Sequence, residues 1–343
     1  MAEQKLILIV DDDRELVDAV RTMLERQGYK VIQAHDGHQG KQAIYNQRPD
    51  LVILDMMMPR MGGYPLLEHF KDKGDRDLAL RPELTPTLAR MVNQKGSSLR
   101  LPIKWFSIPR LFRYERAQRG RLREFFQLNM DIVGCDKVTA EVDLIVAVIE
   151  MLKSFGLNSN DFAVRISSRK VLSDFLDGLK IEAIKKPAIY AALDRRGKIG
   201  EEAFLRLLSE QGIARHTADQ LEAFFKCRSI EELSEALRDL NSEEIEGLAD
   251  LNMLFELLNG LGYNDFFRFD ASVVRGLAYY TGIVFEVFDK GQNLRAIAGG
   301  GRYDSLLLNL GGKAVPAVGF GMGDVVLADL LAGKGLLPTG RRG

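Results

Sequence analysis

Phe112-Arg113-Tyr114-Glu115-Arg116-Ala117-Gln118-Arg119-Gly120-Arg121-Leu122-Arg123-Glu124-Phe125-Phe126-Gln127 sets Arg113, Arg116, Arg119, Arg121 and Arg123 among two glutamates and a phenylalanine pair. Each guanidinium offers a planar fork of donors suited to phosphate oxygens. The near-alternation on either side of Gly120 predicts two strands joined by a glycine-containing loop. Such a hairpin can hold a nucleoside triphosphate, with the aromatics free to meet a base. On composition alone, a solvated charged hairpin fits equally well.

Residues outside the hairpin narrow the choice. Leu80-Arg81-Pro82-Glu83-Leu84-Thr85 precedes it, and Val274-Arg275-Gly276-Leu277-Ala278-Tyr279-Tyr280-Thr281-Gly282 and Ala298-Gly299-Gly300-Gly301-Arg302-Tyr303-Asp304 follow. The hairpin resembles motif 2 of the class II aminoacyl-tRNA synthetases, specifically the histidyl-tRNA synthetase family. The flanking segments resemble that family's RPE-x-T, RGL-x-YY and GGRYD motifs, in the same order. The resemblance covers roughly residues 71–338.

The first 70 residues read differently. Leu6-Ile7-Leu8-Ile9-Val10 is an apolar run ending in Asp11-Asp12-Asp13. A helical pattern through Leu16, Val17, Val20, Met23 and Leu24 follows and stops at Gly28. Lys30-Val31-Ile32 and Leu51-Val52-Ile53-Leu54 read as further strands, the latter ending at Asp55. Continuous apolar strands alternating with amphipathic helices predict a buried parallel sheet. Acids at the carboxyl ends of its strands gather where ligands bind. Asp11, Asp12 and Asp55 would form an all-oxygen site suited to Mg²⁺; simple solvation of strand ends is the other reading. The segment resembles the receiver domain of response regulators, which implies Asp55 as phospho-acceptor and Asp11 and Asp12 as its metal-holding partners. The family's later strand–helix units, with their hydroxyl and lysine residues, have no counterpart before the chain turns synthetase-like near Phe70–Lys71.

The fold class that follows is an α/β partial receiver with a parallel sheet, then an α+β class II synthetase core with an antiparallel sheet and a helical insertion. Residues 1–70 form the shortened receiver, 71–170 the first part of the core, 171–250 the insertion, 251–338 the second part and 339–343 a tail. Strands are expected at Lys71–Leu80, Pro102–Ile108, Phe126–Gly134, Phe266–Gly276, Ile283–Phe288 and Ala296–Gly299, and helices at Ala140–Gly156 and Val325–Leu331. The Leu-, Ala-, Glu- and Lys-rich stretch from Val171 to Glu246 suits several packed helices, as a structural insert or as a surface near a tRNA acceptor arm. The family's motif 1, which builds its dimer interface, finds no counterpart, nor does its anticodon-binding domain. The joining of two partial families fits recombination, an assembly error or deliberate construction.

Bulk properties exclude some classes. A formal net charge of −1 over 343 residues argues against nucleic-acid binding by bulk electrostatics. Cys135 and Cys227 lack metal or disulfide spacing, and free thiols fit a reducing cytoplasm. His35, His38, His69 and His216 show no ligand pattern. No apolar run reaches the length of a membrane span and no signal peptide is seen.

The synthetase resemblance implies activation of histidine with ATP to histidyl-adenylate, then transfer to tRNA. It assigns Arg113 and Arg275 as the catalytic cations. Arg113, Glu115, Arg121, Arg123 and Phe125 would hold ATP. Glu83, Thr85, Gln127, Asp131, Tyr279, Tyr280 and Tyr303 would line the histidine pocket. ATP and Mg²⁺ are the implied cofactors. Histidine, tRNA bound weakly, and a second copy of the chain held by a weakened interface are the implied partners. Three departures stand out: Leu84 where glycine is common, Asp131 where glutamate is common, and Val326 at the usual adenine-stacking arginine. The expected function is therefore a histidine–tRNA ligase with impaired activity. The alternatives are a non-catalytic histidine-binding regulatory paralogue, or a phospho-acceptor receiver with a fused output domain.

Overall fold

The computed structural model describes residues 4–55, 58, 80–113, 120–186, 188–190, 192–193, 200–238, 246–273, 279–291 and 294–337. The chain divides into two compact units, Met1–Pro82 and Glu83–Gly343.

In the first unit, β1 (Leu6–Val10), β2 (Lys30–Ala34) and β3 (Leu51–Leu54) form a parallel sheet in the order β2-β1-β3. Helices α1 (Arg14–Arg26) and α2 (Gly37–Gln47) make the crossovers. Both helices start at an aspartate. The Asp13 carboxylate accepts from the Leu16 N–H, and Asp36 from the Gln39 N–H, at 3.1 and 2.8 Å. Such caps satisfy donors that the first turn leaves open. The apolar run of β1 is buried because it is central, and Leu8, Val10, Ala34, Ile44 and Met58 close the core. Gly28, at φ +86°, turns the chain from α1 into β2.

The second unit is built on an eight-stranded sheet. Its strands are β4 (Ile103–Ser107), β5 (Arg110–Phe112), β6 (Glu124–Val133), β7 (Phe162–Ser168), β8 (Phe267–Phe269), β9 (Ile283–Asp289), β10 (Ala298–Arg302) and β11 (Ala317–Gly323). They run in the order β4-β6-β11-β10-β9-β7-β8, with β5 paired to β6. The pairing is antiparallel, as expected, except between β7 and β8, which run parallel. The helices are α3 (Thr85–Lys95), α4 (Thr139–Ser154), α5 (Arg169–Gly178), α6 (Glu201–Glu210), α7 (Arg215–Lys226), α8 (Ile230–Arg238), α9 (Glu246–Gly260), α10 (Leu306–Asn309) and α11 (Asp324–Gly333).

Period-two alternation gives the sheet two unlike faces. On one, Ile132, Val164, Ile166, Phe285, Val287, Val318, Phe320 and Met322 pack with Ile145, Ile149 and Leu152 of α4. Phe175, Leu221, Phe224, Leu233, Leu254 and Leu258 of α5, α7, α8 and α9 join the same apolar core, so these helices are packed into the unit. The Phe175 and Phe224 rings lie 4.5 Å apart. The other face carries Gln127, Asn129 and Asp131 of β6, opposed across the ladder by Gly323, Gly321 and Gly319 of β11. Gly299 and Gly301 of β10 continue those rows.

Two strand expectations shrink. Among the described residues the stretch from Phe266 supplies strand only over Phe267–Phe269, because the Asp270 carboxylate accepts from both the Ser272 N–H and its hydroxyl and closes a turn. Leu80 is not in a strand, and the rest of Lys71–Leu80 lies outside the described residues. No helix among the described residues is long and apolar enough to cross a membrane.

Candidate active site and acidic cluster

β5 and β6 build the arginine hairpin. Arg110, Leu111 and Phe112 pair with Phe126, Phe125 and Glu124, and the Arg113 N–H donates to the Arg123 carbonyl at 2.9 Å. Leu111 is fully buried and anchors the hairpin, while alternation sends its neighbours the other way. The Arg113 guanidinium lies over the Phe125 ring, 5.1 Å from its centroid. Arg110 makes the matching contact with Phe126 at 5.2 Å and pairs with Glu124 at 2.9 Å. Arg121 is half-buried and Arg123 exposed. Glu115 lies outside the described residues, and so does Arg275. Val326 is buried, and its side chain would lie 3.5 Å from a Cβ placed on Gly120.

Beside the hairpin the structure brings together Glu83, Asp131, Tyr279 and Tyr303. The Tyr279 hydroxyl donates to Glu83, and the Tyr303 hydroxyl donates to Asp131 at 2.5 Å. The Tyr279 and Tyr303 rings meet edge-on at 5.8 Å. Asp131 and Tyr303 are 4% and 2% exposed, so this is a buried acid with one described hydrogen-bond donor. Burial pushes the Asp131 carboxyl up to about 7; the Tyr303 hydrogen bond pulls it back, and the Glu83 charge raises it further. Tyr303 is held well above its ordinary value, chiefly by burial and then by the Asp131 charge.

The Asp131 and Gln127 side chains lie against β11 because the neighbouring strand lacks side chains on this face. A Cβ on Gly319 would collide with the Asp131 carboxylate, and one on Gly321 would come within 2.5 Å of the Gln127 amide. The Gln127 amide donates to Asn129 Oδ1 at 2.9 Å. Asn129, buried at 3% exposure, is a polar member of this face that the sequence reading missed. Its two-residue spacing from both Gln127 and Asp131 was the signal. Thr85 is buried at the first position of α3. Tyr280 packs in an apolar cluster with Leu88, Val92 and Val273, its ring centroid 5.0 Å from that of Tyr279.

In the first unit, Asp11 and Asp55 follow β1 and β3, their N–H groups donating to Ala34 and Val10 at 3.1 and 2.8 Å. One carboxylate oxygen from each of Asp11, Asp12 and Asp55 lies within 4.8 Å of the others. Burial pushes the Asp11 carboxyl up to about 6 against the hydrogen bond from the Asp13 N–H, and Asp55, Asp12 and Asp13 add to the rise. Three hard oxygen donors that repel one another fit a divalent cation such as Mg²⁺.

A mostly antiparallel sheet carrying an arginine hairpin and a buried acid under a glycine-floored strand is the core of a class II aminoacyl-tRNA synthetase. The family model for histidyl-tRNA synthetase matches residues 62–324, and that for the response regulator receiver domain matches residues 7–79. The chain belongs to the histidyl-tRNA synthetase family and carries a receiver-type segment at its start. It is 46% identical over 269 residues to the chloroplastic/mitochondrial histidine–tRNA ligase of Arabidopsis thaliana, covering 78% of this chain and 54% of the relative. It is 34% identical over 331 residues to the histidine–tRNA ligase of Natronomonas pharaonis, covering 95% and 72%. The crystal structure of histidyl-tRNA synthetase from Nostoc shares the fold at a TM-score of 0.67 and 24% identity, over 92% of this chain and 73% of that one. The chain thus spans about half the length of the Arabidopsis relative.

Proposed function

We propose that the larger unit activates histidine with ATP and passes it to tRNA. The observation that carries this reading is the buried pairing of Asp131 with Tyr303 beside Glu83 and Tyr279. An acid and a phenol in a deep slot suit a ring that offers both an N–H and a lone pair, as imidazole does. Thr85, Gln127 and Glu83 border the slot and would orient the amino acid's ammonium group. Tyr280 supports Tyr279 from the apolar side.

In the first step a histidine carboxylate oxygen attacks the α-phosphorus of ATP. The new P–O bond forms as the bond to the pyrophosphate oxygen breaks, and pyrophosphate leaves. Charge builds on the α-phosphate, and Arg113 with Arg275 would meet it. Arg121 and Arg123 would hold the outer phosphates, with Phe125 and Glu115 on the adenine. Mg²⁺ carried with the nucleotide would neutralise part of the phosphate charge. In the second step a terminal ribose hydroxyl of tRNA attacks the carbonyl carbon and AMP leaves. Val326 in place of a stacking cation forfeits on the order of 1–2 kcal/mol of ATP binding, so turnover is expected to be slow. tRNA binding is expected to be weak and a second copy loosely held.

Histidine-dependent exchange of pyrophosphate into ATP tests the reading. Slow exchange that Arg113→Ala and Arg275→Ala each lower by a hundredfold or more is the expected result. Exchange that is absent, with histidine still bound, would favour a non-catalytic histidine-binding regulator, the reading that Val326 also favours. For the first unit, the converging carboxylates support a Mg²⁺ site at Asp11, Asp12 and Asp55, with Asp55 in the phospho-acceptor position.

A further inference from the structure

The groups that face Asp131 among the described residues are acids, phenols and uncharged side chains. Its own strand β6 presents Gln127 and Asn129 on the same face. β11 presents Gly319, and β4 places Trp105 opposite it. The chain after β10 brings Tyr303, whose hydroxyl is 2.5 Å away. Tyr279 and Tyr280 lie beyond that ring, and Glu83 adds a second carboxylate whose charge acts on Asp131. A bare carboxylate in this slot therefore meets burial and a like charge, with one phenolic hydrogen bond to offset them. The upward shift of Asp131 to about 7 agrees with that geometry. Tyr303 stays protonated across the working range, since burial and the Asp131 charge both oppose its ionisation.

We propose that this slot takes up the imidazole of histidine together with one proton, shared between the ring and the Asp131 carboxyl. This inference rests on the histidine-binding reading and adds the protonation state in which the ligand is recognised. Whether the proton sits on ring or carboxyl, the pair carries no net charge, which is the arrangement a buried site beside Glu83 favours. A carboxylate with a neutral ring would leave the slot negative. A protonated carboxyl with imidazolium would leave it positive and remove the acceptor that the ring N–H needs.

The free partners titrate close together, the ring at about 6.5 and the carboxyl near the value given above. Below that range the two bring two protons and must release one. Above it they bring none and must take one up. Histidine affinity should therefore peak near neutrality and fall on both sides.

Isothermal titration of the full chain with L-histidine from pH 5.5 to 8.5, in two buffers of different ionisation heat, reads both quantities. Expected are an affinity maximum near pH 7 and a fall of roughly tenfold by pH 8.5. Proton release near one per histidine is expected at the acid end and uptake near one at the alkaline end. In Asp131→Asn the alkaline fall should vanish, leaving affinity that rises to a plateau as the free ring loses its proton. Loss of the ligand's α-ammonium group would persist in that variant and so is told apart. Should the variant fail to fold, proton uptake by the unaltered chain at pH 8.5 decides alone. Histidine that binds with constant affinity above pH 7 and no proton uptake overturns the inference and leaves the functional reading standing. Absence of histidine binding at every pH overturns both.

Discussion

Arg302, the last residue of β10 in Gly299-Gly300-Gly301-Arg302-Tyr303, turns to the helix-packed face of the sheet and grips Glu141 of α4 through two hydrogen bonds of 2.6 Å. Tyr303, one residue on, points into the pocket. The end of β10 thus locks the sheet to its supporting helix with one side chain, and the next residue brings a phenol to Asp131. Glu141 is fully buried. Burial pushes its carboxyl up more than the guanidinium pulls it down. Burial would likewise lower Arg302, but the hydrogen bonds and charge of Glu141, with Asp304, outweigh it and keep the cation fixed.

Removing Glu141 leaves the buried Arg302 with Asp304 and two backbone carbonyls but without its closest carboxylate. Glu141→Ala is expected to cost about 3–5 kcal/mol in the unfolding of the larger unit, whereas Glu141→Leu with Arg302→Met should recover most of that loss. Urea denaturation followed by circular dichroism checks both. A double variant no more stable than the single would show that the pair contributes more than its burial costs.

The glycines facing β6 supply a graded test. Gly319→Ala drives a methyl into Asp131, and Gly321→Ala crowds Gln127, while Gly323→Ala meets nothing within 4 Å. The first two are expected to weaken histidine binding at least tenfold and to destabilise by about 1–3 kcal/mol. The third should change either quantity by less than about 0.5 kcal/mol. Calorimetric titration and thermal melts of the three variants rank them. Equal effects at all three positions would mean the glycines serve strand geometry and not the pocket.

The receiver unit should show a metal-dependent pH profile. The Asp11 carboxyl rises from 3.8 to about 6 on folding. Its contribution to stability is therefore present below the ordinary value and is lost as pH rises through the folded one. Mg²⁺ bound at the proposed site would offset the repulsion that remains. The expected result is a larger Mg²⁺-induced rise in melting temperature at pH 7.5 than at pH 5. Asp55→Asn should raise the metal-free melting point and shrink the Mg²⁺ response. A Mg²⁺ effect independent of pH and of Asp55 would place the ion elsewhere.

Phospho-transfer to Asp55 is expected to fail. The acids are in place, but no hydroxyl and lysine pair matching the receiver pattern follows before the synthetase-like sequence begins. Acetyl phosphate with Mg²⁺ should leave little or no aspartyl-phosphate by mass spectrometry. Stoichiometric labelling that disappears in Asp55→Asn would restore a signalling role.

The legible parts of this molecule were those where one residue type has one physical use. The unbroken apolar runs of β1 and β3 read as strands of a parallel sheet, β1 buried at its centre and β3 half-buried at its edge, and the alternation on either side of Gly120 read as the paired β5 and β6. The shortened β8 was hidden because Phe266–Gly276 alternates like a strand, while the Asp270 side chain ends it through bonds to Ser272. β7 went unread although the turn cluster Asn158-Ser159-Asn160-Asp161 stands directly before it; its pairing partner β9 lies far along the chain. Arg302 was legible as part of a motif but not as a back-face anchor. Its partner Glu141 sits 161 residues away, and an isolated sequence does not say which acid a buried arginine will find.

The floor under Asp131 is main chain. A wall of side chains can change rotamer and make room for a larger guest, whereas peptide planes held by ladders on both edges of β11 keep a fixed depth. On the proposed histidine-binding reading, this main chain would serve as a rigid gauge of how thick and how flat a ring can lie beside Asp131. Selectivity of that kind comes from the sheet itself and survives fluctuation in the groups around it. An inhibitor that gains by thinness and planarity would keep its grip even if the polar residues at the rim were exchanged.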